Sequence, residues 1–265
     1  DLSVGTVNRA MADLHERGFV REGMLSAAGL EALEPYRVKR AVLIAAGFGS
    51  RLVPITLNTP KPLIRVQGRR IIDSLLDAVY AAGIEEVYVV RGYLAEQFDQ
   101  LLYKYPGLKF IENPFYNEAN NISSAVAAKD LLQNAYVFES DLLLYNPKLI
   151  TKYQYSSNYL GVPVQVTDDW CFQTRRGVIT GLSVGGTDCH HMFGISYWTE
   201  EDGRKLADDV PATFAMPGGK ERYWDEVALR YFARNYEVVV RECTFDDVIE
   251  IDTYRELQEL DKAYV

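Results

Sequence analysis

The apolar positions along this chain fall into blocks of two kinds. Val38 to Ala46 carries Ala41, Val42, Leu43 and Ile44 without polar interruption, the signature of a strand buried on both faces of a parallel sheet. Ile72, Leu75, Leu76 and Val79 recur at helical spacing and stop at Gly83, so the pattern predicts a helix from about Ile71 to Ala82. Glu86 to Arg91 predicts a second buried strand, Leu94 to Tyr105 an amphipathic helix ended by Pro106-Gly107, and Leu108 to Glu112 a third strand. Asn120-Asn121 can cap a helix from about Ile122 to Leu132, and Ala135 to Phe138 reads as a fourth strand. Strands alternating with helices of about a dozen residues predict right-handed crossovers and an α/β fold, a doubly wound and mainly parallel sheet.

From Asn158 to Trp198 the pattern turns to short alternating runs, Val162 to Val166, Trp170 to Gln173, Val178 to Val184 and Met192 to Trp198, punctuated by Gly177, Gly181, Gly185 and Gly186. That texture predicts an antiparallel or mixed extension of the sheet. A helix over Glu221 to Asn235, a strand over Val238 to Arg241, the acidic run Asp246 to Asp252 and a closing helix Thr253 to Leu260 complete the prediction.

Residues 1 to 37 differ from the rest of the chain. Val7, Met11 and Leu14 at helical spacing after Ser3, a break at Gly18, a possible two-stranded wing over Phe19 to Leu25 and a short helix from about Ser26 to Tyr36 mark a separate segment. Ser3-x-Gly5-Thr6-Val7-x-Arg9 resembles the recognition helix of winged helix-turn-helix proteins, with the preceding helices missing. The segment carries four basic and six acidic residues, a net charge of −2, so nucleic acid is not an expected partner for it. The boundaries expected are 1–37 for this remnant and 38–265 for the main domain. The chain begins at Asp1 in what reads as mid-element, an expectation that the natural protein extends upstream.

Composition narrows the function. A chain of 265 residues that is 48% hydrophobic can bury a sizeable core, while its net charge of −9 repels nucleic acid and anionic membranes as a whole. An anionic substrate must therefore be met by a local cationic cluster. Cys171, Cys189 and Cys243 are far apart and show no metal-site spacing, which fits a reducing, cytoplasmic setting. No apolar stretch reaches the roughly 18 residues of a membrane helix, and no signal peptide is evident.

The cluster sits after the first buried strand. Ala46-Gly47-Phe48-Gly49-Ser50-Arg51 opens where ligands bind in α/β sheets, and glycines there let backbone N–H groups approach a phosphate. The dinucleotide fingerprint fails, because Leu52 occupies its third glycine position, and the P-loop spacing fails as well. What remains is Gly-x-Gly-x-Arg, with Arg51 able to grip phosphate oxygens by two hydrogen bonds and Lys61, between Pro60 and Pro62, as a held point charge. Gly92 and Tyr93, at the end of the second strand, are further points where a ligand could be touched.

Ala45-Ala46-Gly47-x-Gly49-x-Arg51-Leu52-x-Pro54 followed by Pro60-Lys61-Pro62-Leu63 resembles the signature of the nucleotidyltransferases that activate sugar phosphates and phosphocholine. Within them the chain is most similar to the bacterial CTP:phosphocholine cytidylyltransferases, over about Val38 to Leu260. The resemblance implies a Rossmann-like, GT-A-like fold and a Mg²⁺-dependent reaction of CTP with phosphocholine that gives CDP-choline and pyrophosphate. It implies that Asn120, Asn121 or Ser123 touches the ribose or base. It also implies a metal-binding aspartate after the fourth strand, normally in Asp-x-Asp; here Asp141 matches, while Glu139 stands at the first position. A carboxylate at the end of a buried strand is costly without a cation, and hard oxygens suit Mg²⁺.

Alternation places Glu250 and Asp252 on one side of a strand, and Glu-Ile-Asp before a closing helix is similar to the family's second metal segment, so Asp252 pairs with Asp141. Trp170 after Asp168-Asp169, Tyr197-Trp198, and Tyr223-Trp224-Asp225 bring aromatic rings beside carboxylates, the chemistry a quaternary ammonium requires. By the resemblance Trp170, Tyr223 and Trp224 face choline; Tyr197-Trp198 is the weaker cluster, with core packing as its alternative. His190 and His191 point to opposite faces of a strand and are read as structural. Arg51, Lys61, Asp141 and Asp252 are the expected catalytic set. A sugar-1-phosphate nucleotidyltransferase, or a transcriptional regulator that senses a nucleotide, remains the alternative. Oligomeric state is not legible.

Overall fold

The protein is described from a computed structural model, in which residues 3–265 are described; Asp1 and Leu2 of the predicted 1–37 segment lie outside them. The chain divides into two compact units, one holding the residues up to Arg37 with Tyr153–Tyr155, the other Val38–Lys152 and Ser156–Val265. In the smaller unit α1 (Val4–Glu16) starts at Ser3, whose hydroxyl accepts the Thr6 N–H. A two-stranded ribbon, β1 (Val20–Arg21) on β2 (Met24–Leu25), comes next and leads to α2 (Ala27–Leu33), capped by Ser26. No helix among the described residues is long and apolar enough to cross a membrane.

The larger unit is a mixed α/β fold with a mostly parallel central sheet. Its first strand, β3 (Arg40–Ile44), is the predicted apolar run, and alternation along it feeds two cores: Ala41 and Leu43 face one, Val42 and Ile44 the other side. A small hairpin, β4 (Arg65–Val66) on β5 (Arg69–Arg70), precedes α3 (Ile71–Ala81). β6 (Glu86–Arg91), β7 (Lys109–Glu112) and β8 (Ala135–Glu139) run parallel with β3, in the order β8-β3-β6-β7. Register pairs Ile44 with both Val90 and Glu139, so the glycine loop and Glu139 leave the sheet at one level. α4 (Ile122–Ala127) is shorter than predicted. The predicted helix over 94–105 is a 3-10 segment, Ala95–Tyr103, entered through Leu94 in the left-handed region.

A second, two-stranded sheet matters more for chemistry than its size suggests. β9 (Leu142–Leu144), directly after Asp141, pairs antiparallel with β13 (Val248–Glu250), and the Ile251 N–H donates to the Asp141 carbonyl at 3.1 Å.

The four short runs predicted between Asn158 and Trp198 are two long strands, β10 (Asn158–Arg175) and β11 (Val178–Trp198). They turn once, through Arg176 and Gly177, both at positive φ, as a two-residue hairpin whose twist suits the strands. Gly185 and Gly186 lie at irregular register rather than at chain reversals, because a glycine inside a strand can also mark a bulge. β11 lies antiparallel on β8, and β12 (Val239–Glu242) adds parallel to β10.

α5 (Glu200–Ala215) has no counterpart in the predicted elements, yet its start was readable: Thr199 caps the Asp202 N–H, and Glu200, Glu201 and Asp202 fill the first turn. The predicted helix over 221–235 is instead a π turn, Val227–Tyr231, between two short 3-10 turns. α6 (Tyr254–Leu260) closes the chain behind a Thr253 and Glu256 capping box.

α5 can approach the Leu132-Gln133 backbone because residue 203 is glycine; a Cβ there would lie 2.4 Å from Gln133 Cα. Gly203→Ala should therefore destabilise the protein by about 1–3 kcal/mol, read as a lower urea midpoint at unchanged slope.

Candidate active site

The loop after β3 is shaped by its glycines. Gly49 sits at φ 63°, and a Cβ there would press on Lys61 Cβ and Thr56 Cγ2 at 3.0 Å, so the position favours glycine on both backbone and packing grounds. Thr56 ties the loop down by donating to the Gly49 carbonyl at 2.9 Å. Phe48 packs on Tyr93 and Tyr116, with ring centroids 5.0 and 5.6 Å away.

Beneath the loop, Lys61 is 8% exposed and donates to Asp141 Oδ2 at 2.8 Å and to Asp252 Oδ1 at 3.0 Å. Arg51, largely exposed at the mouth, reaches Asp252 Oδ1 at 2.7 Å. Burial disfavours the Lys61 ammonium, but Asp141 and Asp252 outweigh it and hold the pKa above the ordinary lysine value. Neighbouring carboxyls move the other way. Glu250 is pushed well up by burial and then by the charges of Asp141 and Asp252, and Glu139 by burial and then by Asp225, Asp141 and Glu250.

Three of these acids, Asp141, Glu250 and Asp252, can each offer an oxygen to one point, the oxygens lying within 4.8 Å of one another. Asp141 Oδ1 is buried without a hydrogen-bond partner, which is expensive unless a cation takes it up. An all-oxygen, all-carboxylate set fits Mg²⁺, so the residues present suit the metal.

All of this lines a cleft of about 390 Å³, within the size range of small-molecule sites. Its lining includes Gly47, Gly49, Ser50, Arg51 and Lys61 from the loop after β3 and its continuation, Asn120 and Asn121, and Asp169, Trp170, Tyr223, Asp225 and Glu226. Trp170 and Tyr223 meet at 65° with centroids 5.5 Å apart, an aromatic corner. Burial pushes the Asp225 carboxyl up to about 7, against a 2.6 Å hydrogen bond from Tyr159 that favours its ionised form.

Twelve of the predicted site residues thus share one cleft: Gly47, Gly49, Ser50, Arg51, Lys61, Asn120, Asn121, Asp141, Trp170, Tyr223, Glu250 and Asp252. The structure places the other six elsewhere. Ala46 is buried with its carbonyl accepting from the Tyr93 N–H, Tyr93 donates its hydroxyl to the Thr56 carbonyl, and the Tyr116 ring covers Gly92, so these three brace the loop. Ser123 is buried between Asn113 and the Asn120 carbonyl. Tyr197 pairs with Tyr136 near the start of β8, the far end from Glu139, and donates to Asn134. Trp224 points into the second core against Trp198 and Tyr159, because neighbours in a tight turn face opposite ways and Tyr223 takes the cleft side.

His190 and His191 contact Glu242 and Thr167 respectively, and neither lines the cleft. Asp225, Glu226, Asp169, Glu139 and Gly194 line it without having been singled out as site residues. The signal for Asp225 was its place after two aromatics, and for Glu139 its place on a strand end level with the glycine loop.

The model of the nucleotidyl transferase family matches residues 40–158. The 2-aminoethylphosphonate cytidylyltransferase of Lancefieldella rimae is 35% identical over 229 residues, covering 85% of this chain and 93% of the relative. The choline-phosphate cytidylyltransferase of Streptococcus pneumoniae is 28% identical over 225 residues, covering 83% and 97%. Among solved structures, the CTP:phosphocholine cytidylyltransferase from Streptococcus pneumoniae superimposes with a TM-score of 0.79 at 28% identity, over 86% of this chain and 100% of that one.

Replacing Asp141 by Asn removes half the charge that Lys61 meets and the orphaned carboxylate oxygen. Turnover should fall by about a hundredfold or more while the far-UV CD spectrum is kept, because several kcal/mol of charge stabilisation correspond to a factor of ten per 1.36 kcal/mol.

Proposed function

The chain belongs to the nucleotidyl transferase family, and from that premise we propose that it is a cytidylyltransferase that joins CTP to a small aminoalkyl phosphonate or phosphate, with 2-aminoethylphosphonate the best fit. The acceptor's phosphonate oxygen attacks the α-phosphorus of CTP in line. Its bond to phosphorus forms as the α–β bridging bond breaks, and pyrophosphate leaves. An acceptor that is already anionic needs no general base, so the protein's contribution is positioning and charge neutralisation.

The residues divide the task. Backbone N–H groups of Gly47, Gly49 and Ser50, with the Arg51 guanidinium, hold the triphosphate. The Lys61 ammonium sits between the two phosphorus-bearing groups and lowers their mutual repulsion. Asn120 and Asn121 bound the nucleoside end. Asp141, Glu250 and Asp252 would hold Mg²⁺, which when bound supplies Lewis-acid stabilisation of charge on the α-phosphate and the leaving group.

One observation carries the choice of acceptor: beyond the Asp141, Glu250 and Asp252 cluster the cleft is rich in carboxylates and poor in aromatic faces. Asp169, Asp225, Glu226 and Glu139 line it, whereas Trp224 and Tyr197 are core residues, leaving Trp170 and Tyr223 as its aromatic corner. A primary ammonium donates hydrogen bonds and is served by carboxylates. A trimethylammonium cannot donate and is served by an aromatic cage. The 35% identity to a 2-aminoethylphosphonate enzyme supports the same choice. Phosphocholine is the second reading, favoured by the Trp170–Tyr223 corner and by the likeness to the pneumococcal choline-phosphate enzyme.

Pyrophosphate release from CTP and Mg²⁺ should be followed with 2-aminoethylphosphonate, phosphoethanolamine, phosphocholine and glucose 1-phosphate. The aminoethyl compounds should give the highest kcat/KM, by about tenfold or more over phosphocholine. Release with glucose 1-phosphate alone would overturn the proposal.

Asp225 also sets a pH dependence. A proton and an ammonium compete for the same carboxylate, so with its pKa at about 7 acceptor binding weakens on acidification. The acceptor KM should fall as the pH rises from about 6 to 8, and Asp225→Asn should flatten that limb while leaving the acceptor's own ionisation to show alone.

A further inference from the structure

Glu139 ends β8 inside the cleft, and its side chain is fixed from two sides. Asn121 Nδ2 donates to Glu139 Oε1 at 2.8 Å. The other oxygen, Oε2, lies over Gly194, where a Cβ would come within 2.4 Å of it, so the absence of a side chain on β11 makes the space this carboxylate occupies. Among the described residues Oε2 has no hydrogen-bond partner. The carboxylates that can share one cation are Asp141, Glu250 and Asp252, and Glu139 is not one of them.

Asn121 does a second thing with the same amide. Its Oδ1 accepts the Trp224 N–H at 2.9 Å, so one side chain fixes both Glu139 and the segment that carries Tyr223 and Asp225. Asn120 reinforces the tie, its N–H donating to the Lys220 carbonyl at 2.7 Å and its Nδ2 to the Glu221 carbonyl at 3.3 Å. A held carboxylate oxygen thereby lines the same cleft as Lys61, Trp170 and Tyr223 and apolar Met192 and Leu182, with Asp225 the neighbouring acid that acts on it most. A fixed acceptor oxygen bordered by apolar surface and by the further carboxylate of Asp225 is a receptor for a compact hydrogen-bonding cation.

We propose that Glu139, seated over Gly194 and oriented by Asn121, binds the ammonium of the acceptor and is the residue that makes the enzyme prefer aminated acceptors to uncharged ones of the same length. The inference rests on the acceptor reading above and deepens it. Glu139 binds the amine; Asn121 positions Glu139.

The test uses the full chain with CTP and Mg²⁺, comparing 2-aminoethylphosphonate with propylphosphonate, which replaces the ammonium by a methyl group. In the Glu139→Gln variant, which keeps an oxygen for Asn121, the KM for 2-aminoethylphosphonate should rise by about tenfold or more, the scale of a lost charge-assisted hydrogen bond. The KM for CTP and the Mg²⁺ concentration for half-maximal rate should stay within about twofold, and propylphosphonate turnover should be little changed, so the amine preference falls. Glu139→Asp, which keeps the charge on a shorter stem, should retain part of that preference. An equal loss on both acceptors, or a shifted Mg²⁺ requirement with the preference intact, would overturn the assignment. A parent enzyme that prefers the amine together with a Gln variant that still does would sink Glu139 alone. A parent enzyme indifferent to the amine would sink the acceptor reading and this assignment with it.

Discussion

The candidate active site depends on one buried ammonium shared by two carboxylates that the sequence keeps far apart. Lys61 meets Asp141 and Asp252, 80 and 191 residues further along. Each carboxylate arrives by a different route: Asp141 comes after β8, out of the main sheet, and Asp252 comes after β13, which reaches it only by pairing with β9. Without Lys61, acids gathered at one end of a cleft would repel each other and pay the cost of desolvation unpaired. With it, the carboxylates are partly neutralised, yet an oxygen of Asp141 remains free to take a cation. The same ammonium can thus hold the ligand-free centre together and lie against phosphate when substrate enters.

The cleft is accordingly mixed in sign. Arg51 and Lys61 stand beside Asp141, Glu250 and Asp252, and further carboxylates come from Glu139, Asp169, Asp225 and Glu226. With two cations against so many acids, the lining as a whole favours a ligand or ion that brings positive charge with it.

Much of the loop after β3 was legible because its chemistry is local. A buried strand opening into Gly47 and Gly49, Arg51 two residues on, and Lys61 between prolines are neighbours in sequence as in space. Asp141 is legible by a rule of cost, since it follows a buried strand where a bare charge is expensive, and Asp252 by strand alternation and by the likeness of Glu-Ile-Asp to the family's second metal segment. The acceptor wall was harder, because side-chain direction there is set by tertiary packing. In Tyr223-Trp224-Asp225 the middle residue turns into the core, and Tyr197 lies at the wrong end of a strand whose partner, β8, carries Glu139 at the right one. Glycines that form bulges carry the same signal as glycines that form turns, so the pattern predicts four short runs where the chain makes one long β10–β11 ribbon. α5 was missed although Thr199 and three acids announce its start; the Gly203 and Pro211 inside it weaken the helical pattern.

The order of the elements has a consequence for assembly. All seven strands of the main sheet precede β13, and Asp252 follows a strand that belongs to the separate two-stranded sheet with β9. A molecule whose main sheet is intact can therefore still lose the second acidic partner of Lys61 if β13 detaches from β9, so local opening of this small sheet is enough to dismantle the cluster.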